Sequence, residues 1–183
     1  MQLIETGFKE LFVLQAQAFE DDRGCFFESY NSRWFVQNNL AYFFVQDNAS
    51  ESHYGVIRGL HFQTGARSQA KLVRVSHGEV LDVVVDLRSE SETFGKSFSI
   101  ILSRSNKKQL LIPRGFAHGY SVLSEDCIFN YKCDNFYDKN SESGIHPLDP
   151  HLNIDWMIPQ EFQKISEKDR HLQFYKQLES LKK

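Results

Sequence analysis

From Val80 to Leu87 the chain reads VLDVVVDL, with Leu81, Val83, Val85 and Leu87 on one side and Asp82 and Asp86 on the other. A period of two marks a β-strand with one face in the core, so the pattern assigns the two aspartates to a solvated face. Short runs of similar character recur at LHFQ (60–63), KLVRVSH (71–77), KSFSIIL (96–102), QLLIP (109–113), HGYSVL (118–123) and CIFNYK (127–132). Turn-prone stretches such as SHGE, RSESE and SRSNKK separate them. Many short strands at this spacing predict an all-β fold, an antiparallel sandwich or barrel. Helical patterning is confined to the flanks, at NSRWFVQNN (31–39), PQEFQKI (159–165) and KDRHLQFYKQLESLKK (168–183). The last has Leu172, Phe174, Leu178 and Leu181 for an apolar side and lysines near its end, which suits the helix dipole.

A chain of 183 residues that is 41% hydrophobic can bury a sizeable core, and no repeat, low-complexity tract or Gly/Ser-rich linker divides it. One domain spanning 1–183 is the expectation. The net charge of −3, with Lys and Arg spread along the chain, argues against nucleic acid as a partner. Cys25, Cys127 and Cys133 form no CxxC pair and are odd in number, which fits a reducing, cytoplasmic setting. The N-terminus MQLIETGFKELFVL lacks a basic segment followed by an apolar one, and no apolar run reaches the roughly 20 residues of a membrane span. A soluble protein that is not exported is expected, with no membrane partner.

Residues two apart on a strand share a face. In KLVRVSH that groups Lys71, Val73, Val75 and His77; in LHFQ it pairs His61 with Gln63. In HGYSVL it groups His118, Tyr120 and Val122, and in CIFNYK Cys127, Phe129 and Tyr131. If these faces line a barrel, its mouth holds imidazoles, an ammonium, a phenol and an amide above apolar residues, the usual make-up of a ligand pocket. Each has a blander reading: a strand histidine is commonly packed or exposed, a strand tyrosine commonly core with a wet hydroxyl, and a lysine snorkels to water. Barrels of this size also hold metals on an HxH pair with a following glutamate, but this chain reads His61-Phe62-Gln63, and an amide is a weak ligand for transition metals. No metal is expected.

Over nearly its whole length the chain resembles the dTDP-4-dehydrorhamnose 3,5-epimerase family. The matching segments are DDRGCFFE (21–28), FVQDNASESHYGVIRGLHFQ (44–63), QAKLVRVSHGEVLDVVVDLR (69–88), TFGK (93–96), QLLIPRGFAHGY (109–120), NYK (130–132) and ISEKD (165–169). Taken singly they are moderately specific; in this order and spacing they are very specific. The resemblance implies a cupin-type jelly roll, as a rule a homodimer, and cofactor-free epimerisation of a dTDP-linked 4-keto-6-deoxyhexose. Carried over by residue, His61 resembles the general base, Asp169 the carboxylate that orients it, and Tyr131 the acid on the other face. Lys71 and His118 resemble groups around the sugar. Arg23, Glu28, Gln46, Asp47, Asn48, Arg58, Glu142 and Lys168 match nucleotide-sugar and phosphate contacts, and Tyr137 a second pocket tyrosine.

The chemistry accounts for these residue types. A proton beside a ketone is weakly acidic, so its removal needs a base and a cation or donor for the enolate oxygen. His61 supplies the first and Lys71 the second. Inversion needs a proton returned to the opposite face, which Tyr131 answers, while arginines suit a diphosphate. The chain departs from the commonest family pattern at His77 and in NYKCDNFYDKNSES, where Cys133 reads as an inert strand residue and Phe136 is also atypical. A relative that inverts only C3, or one accepting another sugar, stays open on residue types alone.

Overall fold

The computed structural model describes residues 1–176. In chain order its elements are β1 (Gln2–Glu5), β2 (Phe12–Gln15), β3 (Ala18–Asp21), β4 (Gly24–Phe27), α1 (Ser32–Gln37), β5 (Gln46–His53), β6 (Val56–Gln63), β7 (Lys71–His77) and β8 (Glu79–Asp86). There follow β9 (Ser97–Ser103), β10 (Lys108–Ile112), β11 (Phe116–Val122), β12 (Asp126–Cys133), β13 (Glu142–Gly144), β14 (Lys164–Ile165) and α2 (Glu167–Arg170). One sheet has the order β1-β2-β10-β7-β12-β5, and the other β13-β6-β11-β8-β9, with β14 added parallel to β6. β3 and β4 form a separate hairpin. The two sheets face each other as an all-β sandwich of jelly-roll type, and each of the strand-like runs read above falls in a strand.

The core lies between the sheets. Val73 and Val75 of β7, Leu110 and Ile112 of β10 and Phe129 of β12 meet Val80 and Val84 of β8 and Phe116, Tyr120 and Val122 of β11. Each apolar side chain so buried contributes about 1.5–3 kcal/mol. The Phe129 and Tyr120 rings stack across the gap with centroids 4.1 Å apart.

β8 keeps its period of two, yet the solvated face assigned to Asp82 and Asp86 does not exist: every residue from Val80 to Asp86 is buried. Leu81, Val83 and Val85 pack outward against Ile57, Leu60, Ile145 and Trp156, because the chain after β13 folds back over this sheet. Trp156 is pinned there by donating Nε1–H to the Pro147 carbonyl (2.8 Å), while its own carbonyl accepts from Ser121 Oγ (2.7 Å). Val80, Asp82, Val84 and Asp86 therefore point into the sandwich. Asp86 accepts from Arg88 Nε (2.9 Å), Arg88 Nη2 (2.7 Å), Ser91 Oγ (2.6 Å) and Thr93 Oγ1 (2.7 Å), which organises the loop leaving β8.

The helical patterning is met at α1, where the Asn31 side chain caps the amides of Arg33 and Trp34 and Phe35 is buried. PQEFQKI is instead a single 3-10 turn, Gln160–Phe162, followed by β14, because the Lys164 amide donates to Gly55 across the sheet (2.8 Å). In the last segment Glu167–Arg170 is helical, Gln173 then forms a bridge with Ile145, and Tyr175 and Lys176 are helical again; Leu178 and Leu181 lie outside the described residues. His77 also departs from its expected face. The β7–β12 register shifts between Ile128 and Phe129, so Lys71, Val73 and Val75 face inward while His77 is exposed.

Burial would raise the Asp86 carboxyl, but the Arg88, Ser91 and Thr93 hydrogen bonds hold it down, from 3.8 to about 2. A carboxyl depressed in the folded state adds stability that is complete above its unfolded value and lost as pH falls through its folded one. Urea titrations should show this group's share, about 2 kcal/mol, disappearing between pH 4 and about pH 2. Asp86→Asn should be less stable at pH 6 and show a flatter acid profile.

Candidate active site

β6 carries the first functional side chains, and a bulge aims them. Its register against β11 matches His118 to His61 but Tyr120 to Arg58, so three steps on β6 span two on β11. An extra residue of this kind turns side chains that strict alternation would separate toward the same side. Arg58 and His61 accordingly line one cavity. Gly59 sits at the bulge with φ +111°, and an added Cβ would lie 2.6 Å from the His118 carbonyl oxygen and 2.7 Å from Gly119 Cα. Only glycine lets the strands approach this closely.

The His61 Nε2 lies 2.6 Å from Asp169 Oδ1. Asp169 is 3% exposed and belongs to α2, whose Ser166 cap accepts from the Asp169 amide (3.1 Å). Its second oxygen accepts from the Gly59 amide (3.3 Å). Burial opposes the Asp169 charge, yet the His61 contact, the Gly59 amide and Ser166 carry its carboxyl below the usual range. The dyad is thus fixed from the bulge on one side and a helix cap on the other.

The cavity above it holds about 550 Å³ and is shared by both sheets, with His61, Arg58 and His118 from one and Lys71, Phe129 and Tyr131 from the other. A second compartment of about 320 Å³ adjoins it through His61, Lys71 and Tyr131 and adds Gln46, Asn48, Tyr137 and Glu142. Burial pushes the Tyr131 phenol above its ordinary value and the Lys71 ammonium below its own. At the rim, Glu142 accepts from Tyr137 OH (2.8 Å) and Lys168 Nζ (2.7 Å). Gln46 Oε1 accepts from the Tyr137 amide (3.0 Å), and Arg58 Nε donates to Ser52 Oγ (3.1 Å). Cys133 lines the smaller compartment, its thiol pushed up by burial to about 11 and so protonated at neutral pH.

Three residues expected at the site are elsewhere in the chain. Asp47 alternates to the outer face of β5 and pairs with Lys132 Nζ (2.6 Å). Arg23 is exposed in the β3–β4 turn beside Asp21, and Glu28 bonds Asn31 at the start of α1. Conversely, the expected set omitted Gly59, Ser50, Tyr120 and Asp82. Ser50 Oγ and Tyr120 OH share a hydrogen bond (2.8 Å) in the cavity wall. The isolated glycine of RGLH was a signal for close strand approach, and Asp82 interrupts a run of valines. Among the described residues no group of three His, Cys, Asp or Glu side chains is arranged to hold a metal ion. Nor, among them, is any helix long and apolar enough to cross a membrane.

A jelly roll with a histidine–carboxylate dyad, a half-buried phenol and an ammonium around one cleft defines the class of cupin-like sugar epimerases, which are isomerases. The family model described as dTDP-4-dehydrorhamnose 3,5-epimerase matches residues 5–177, and the chain belongs to that family. The dTDP-4-dehydrorhamnose 3,5-epimerase of Pseudomonas aeruginosa is 47% identical over 171 residues, 93% of each chain. The crystal structure of the Elizabethkingia anophelis dTDP-4-dehydrorhamnose 3,5-epimerase is similar with a TM-score of 0.91 at 49% identity, covering 97% of both chains. That of the Legionella pneumophila dTDP-6-deoxy-D-glucose-3,5-epimerase, in complex with dTDP-4-keto-L-rhamnose, gives 0.89 at 44% identity over 94% of this chain and 92% of that one.

Gly59→Ala should test the bulge. A side chain at positive φ against two backbone atoms should cost about 2 kcal/mol or more and lower the thermal midpoint together with activity. A variant with the wild-type midpoint would show that the close approach is dispensable.

Proposed function

We propose that the protein epimerises C3 and C5 of dTDP-4-keto-6-deoxy-D-glucose, giving dTDP-4-keto-L-rhamnose. The observation that carries this reading is that the dyad and Tyr131 reach one cavity from opposing sheets. His61 is tied to Asp169 through Nε2, which leaves Nδ1 to take the proton beside the C4 ketone. The C–H electron pair moves into the enolate, whose oxygen the Lys71 ammonium stabilises. Asp169 holds the ring and stabilises the imidazolium. Tyr131, its phenol kept protonated by burial, gives a proton to the other face of the carbon. Exchange with water then restores both groups, and proton transfer alone completes the reaction, so it calls for no redox cofactor.

Arg58, Gln46, Asn48, Tyr137, Glu142, Lys168 and His118 hold the nucleotide sugar in this reading. Arg23 and Glu28 serve a second copy. They sit on or beside a hairpin whose Phe19 and Phe26 are 58% and 72% exposed, an unusual amount of bare aromatic surface for a monomer. A homodimer would cover those rings and bring the pair to the neighbour's cleft. Asp47 contributes by neutralising Lys132. A nucleotide-sugar substrate and high-lying thiols both suit a reducing, cytoplasmic setting.

Incubation with the substrate in D2O should place deuterium at C3 and C5. Label at C3 alone would make the protein a single-carbon epimerase, and none at either would overturn the reading. His61→Ala should lose exchange by roughly 10²–10⁴-fold, and Tyr131→Phe should lose inversion while still folding and binding dTDP. A fully active His61→Ala would remove the mechanism.

Subunit mixing tests the shared site. Arg23→Ala and His61→Ala should each be weak, yet an equal mixture after subunit exchange should recover roughly a quarter of wild-type activity, since each mixed dimer has one intact site. No recovery, with exchange demonstrated, would put Arg23 in the cavity of its own chain or outside the site.

A further inference from the structure

Of the buried carboxylates that the mechanism above leaves unused, Asp82 is the one bonded to a side chain lining the cavity. Asp82 is fully buried on β8, and its Oδ2 lies 2.9 Å from Nε2 of His118. Its Oδ1 is buried with no hydrogen-bond partner among the described residues. His118 is 7% exposed, lines the cavity and stands directly across the strand pair from His61. Two histidine–aspartate pairs therefore stand side by side, their histidines on the neighbouring strands β6 and β11.

A carboxylate with a bare oxygen is a poor choice for holding a core together. Burying it costs desolvation that its one hydrogen bond only partly offsets, and an apolar side chain of similar size avoids that cost. Its effect falls on its neighbours instead. The titratable groups facing His118 are Asp82 of β8, Lys71 of β7 and His61 of β6; those facing Lys71 are Cys133, Asp82 and Glu142.

Taking the cavity as the sugar site, we propose that Asp82 is a positioning residue: it accepts the His118 Nε2 proton and so leaves Nδ1 as a hydrogen-bond acceptor for a sugar hydroxyl. Burial pushes the His118 imidazole below the ordinary histidine range, against the pull of Asp82, which keeps the ring neutral and its second nitrogen a lone pair. The cavity then offers the sugar a donor at Lys71, suited to a ketone oxygen, and an acceptor at His118, suited to a hydroxyl. A substrate with those two groups exchanged would leave both side chains unpaired.

Nitrogen NMR of 15N-histidine-labelled wild-type protein should show His118 as the Nε2–H tautomer, a result that needs no substrate. Finding the Nδ1–H tautomer would overturn the proposal whether or not the protein is an epimerase. In Asp82→Asn the amide can donate to Nε2 and reverse the tautomer. kcat/KM for the 4-keto sugar should then fall about 10- to 100-fold, while deuterium exchange by the His61 dyad persists. A purely structural role would lower the thermal midpoint with tautomer and kcat/KM unchanged, and that outcome would also overturn it.

Discussion

The pairing of β6 with β11 across Gly59 governs the site. It brings two backbones closer than any side chain allows, sets His61 opposite His118, and turns the Gly59 amide toward Asp169. One bulge thereby decides which way the His61 imidazole faces, which carboxylate holds it, and which second imidazole stands beside it. Backbone geometry suits such a task better than side-chain packing, since a main-chain register has no rotamers to sample.

A sandwich with a polar interior must shield its charges from outside. The segment after β13 lays Ile145 and Trp156 over Leu81, Val83 and Val85, so that β8 is buried on both faces, with Asp82 and Asp86 on the one between the sheets. There their hydrogen bonds are stronger than in water and an unpaired oxygen is costlier. Asp86 has donors on both oxygens and acts as a loop anchor, whereas Asp82 has one on a single oxygen. The same residue type on the same strand thus has two roles, decided by its donors.

Much of this was legible beforehand. Period-two runs marked the central strands, and the motifs RGLHFQ, NYK and ISEKD singled out the residues that line the cleft. Polarity misled at Asp82 and Asp86, because alternation reports two faces without saying that the polar one is wet. Bulges misled at His77, and β5, QDNASESH, has no apolar alternation at all and is a strand through its main-chain pairing with β12. Arg23, Glu28 and Asp47 carry the motif, yet within the single chain they lie outside the cavity, beside Asp21, Asn31 and Lys132. The late helix is interrupted at the Ile145–Gln173 bridge, a contact between residues far apart in sequence that local periodicity does not register.

The dyad joins residues 108 positions apart, His61 from the middle of the chain and Asp169 from near its end. β6, which holds His61, is itself bordered by the late strands β13 and β14, and β14 runs almost directly into α2. Until α2 docks, the imidazole has no carboxylate partner and the Gly59 amide lacks its acceptor. The segment from β14 to α2 thus both closes the edge of β6 and supplies the carboxylate that His61 meets, so one stretch of chain serves as wall and as partner.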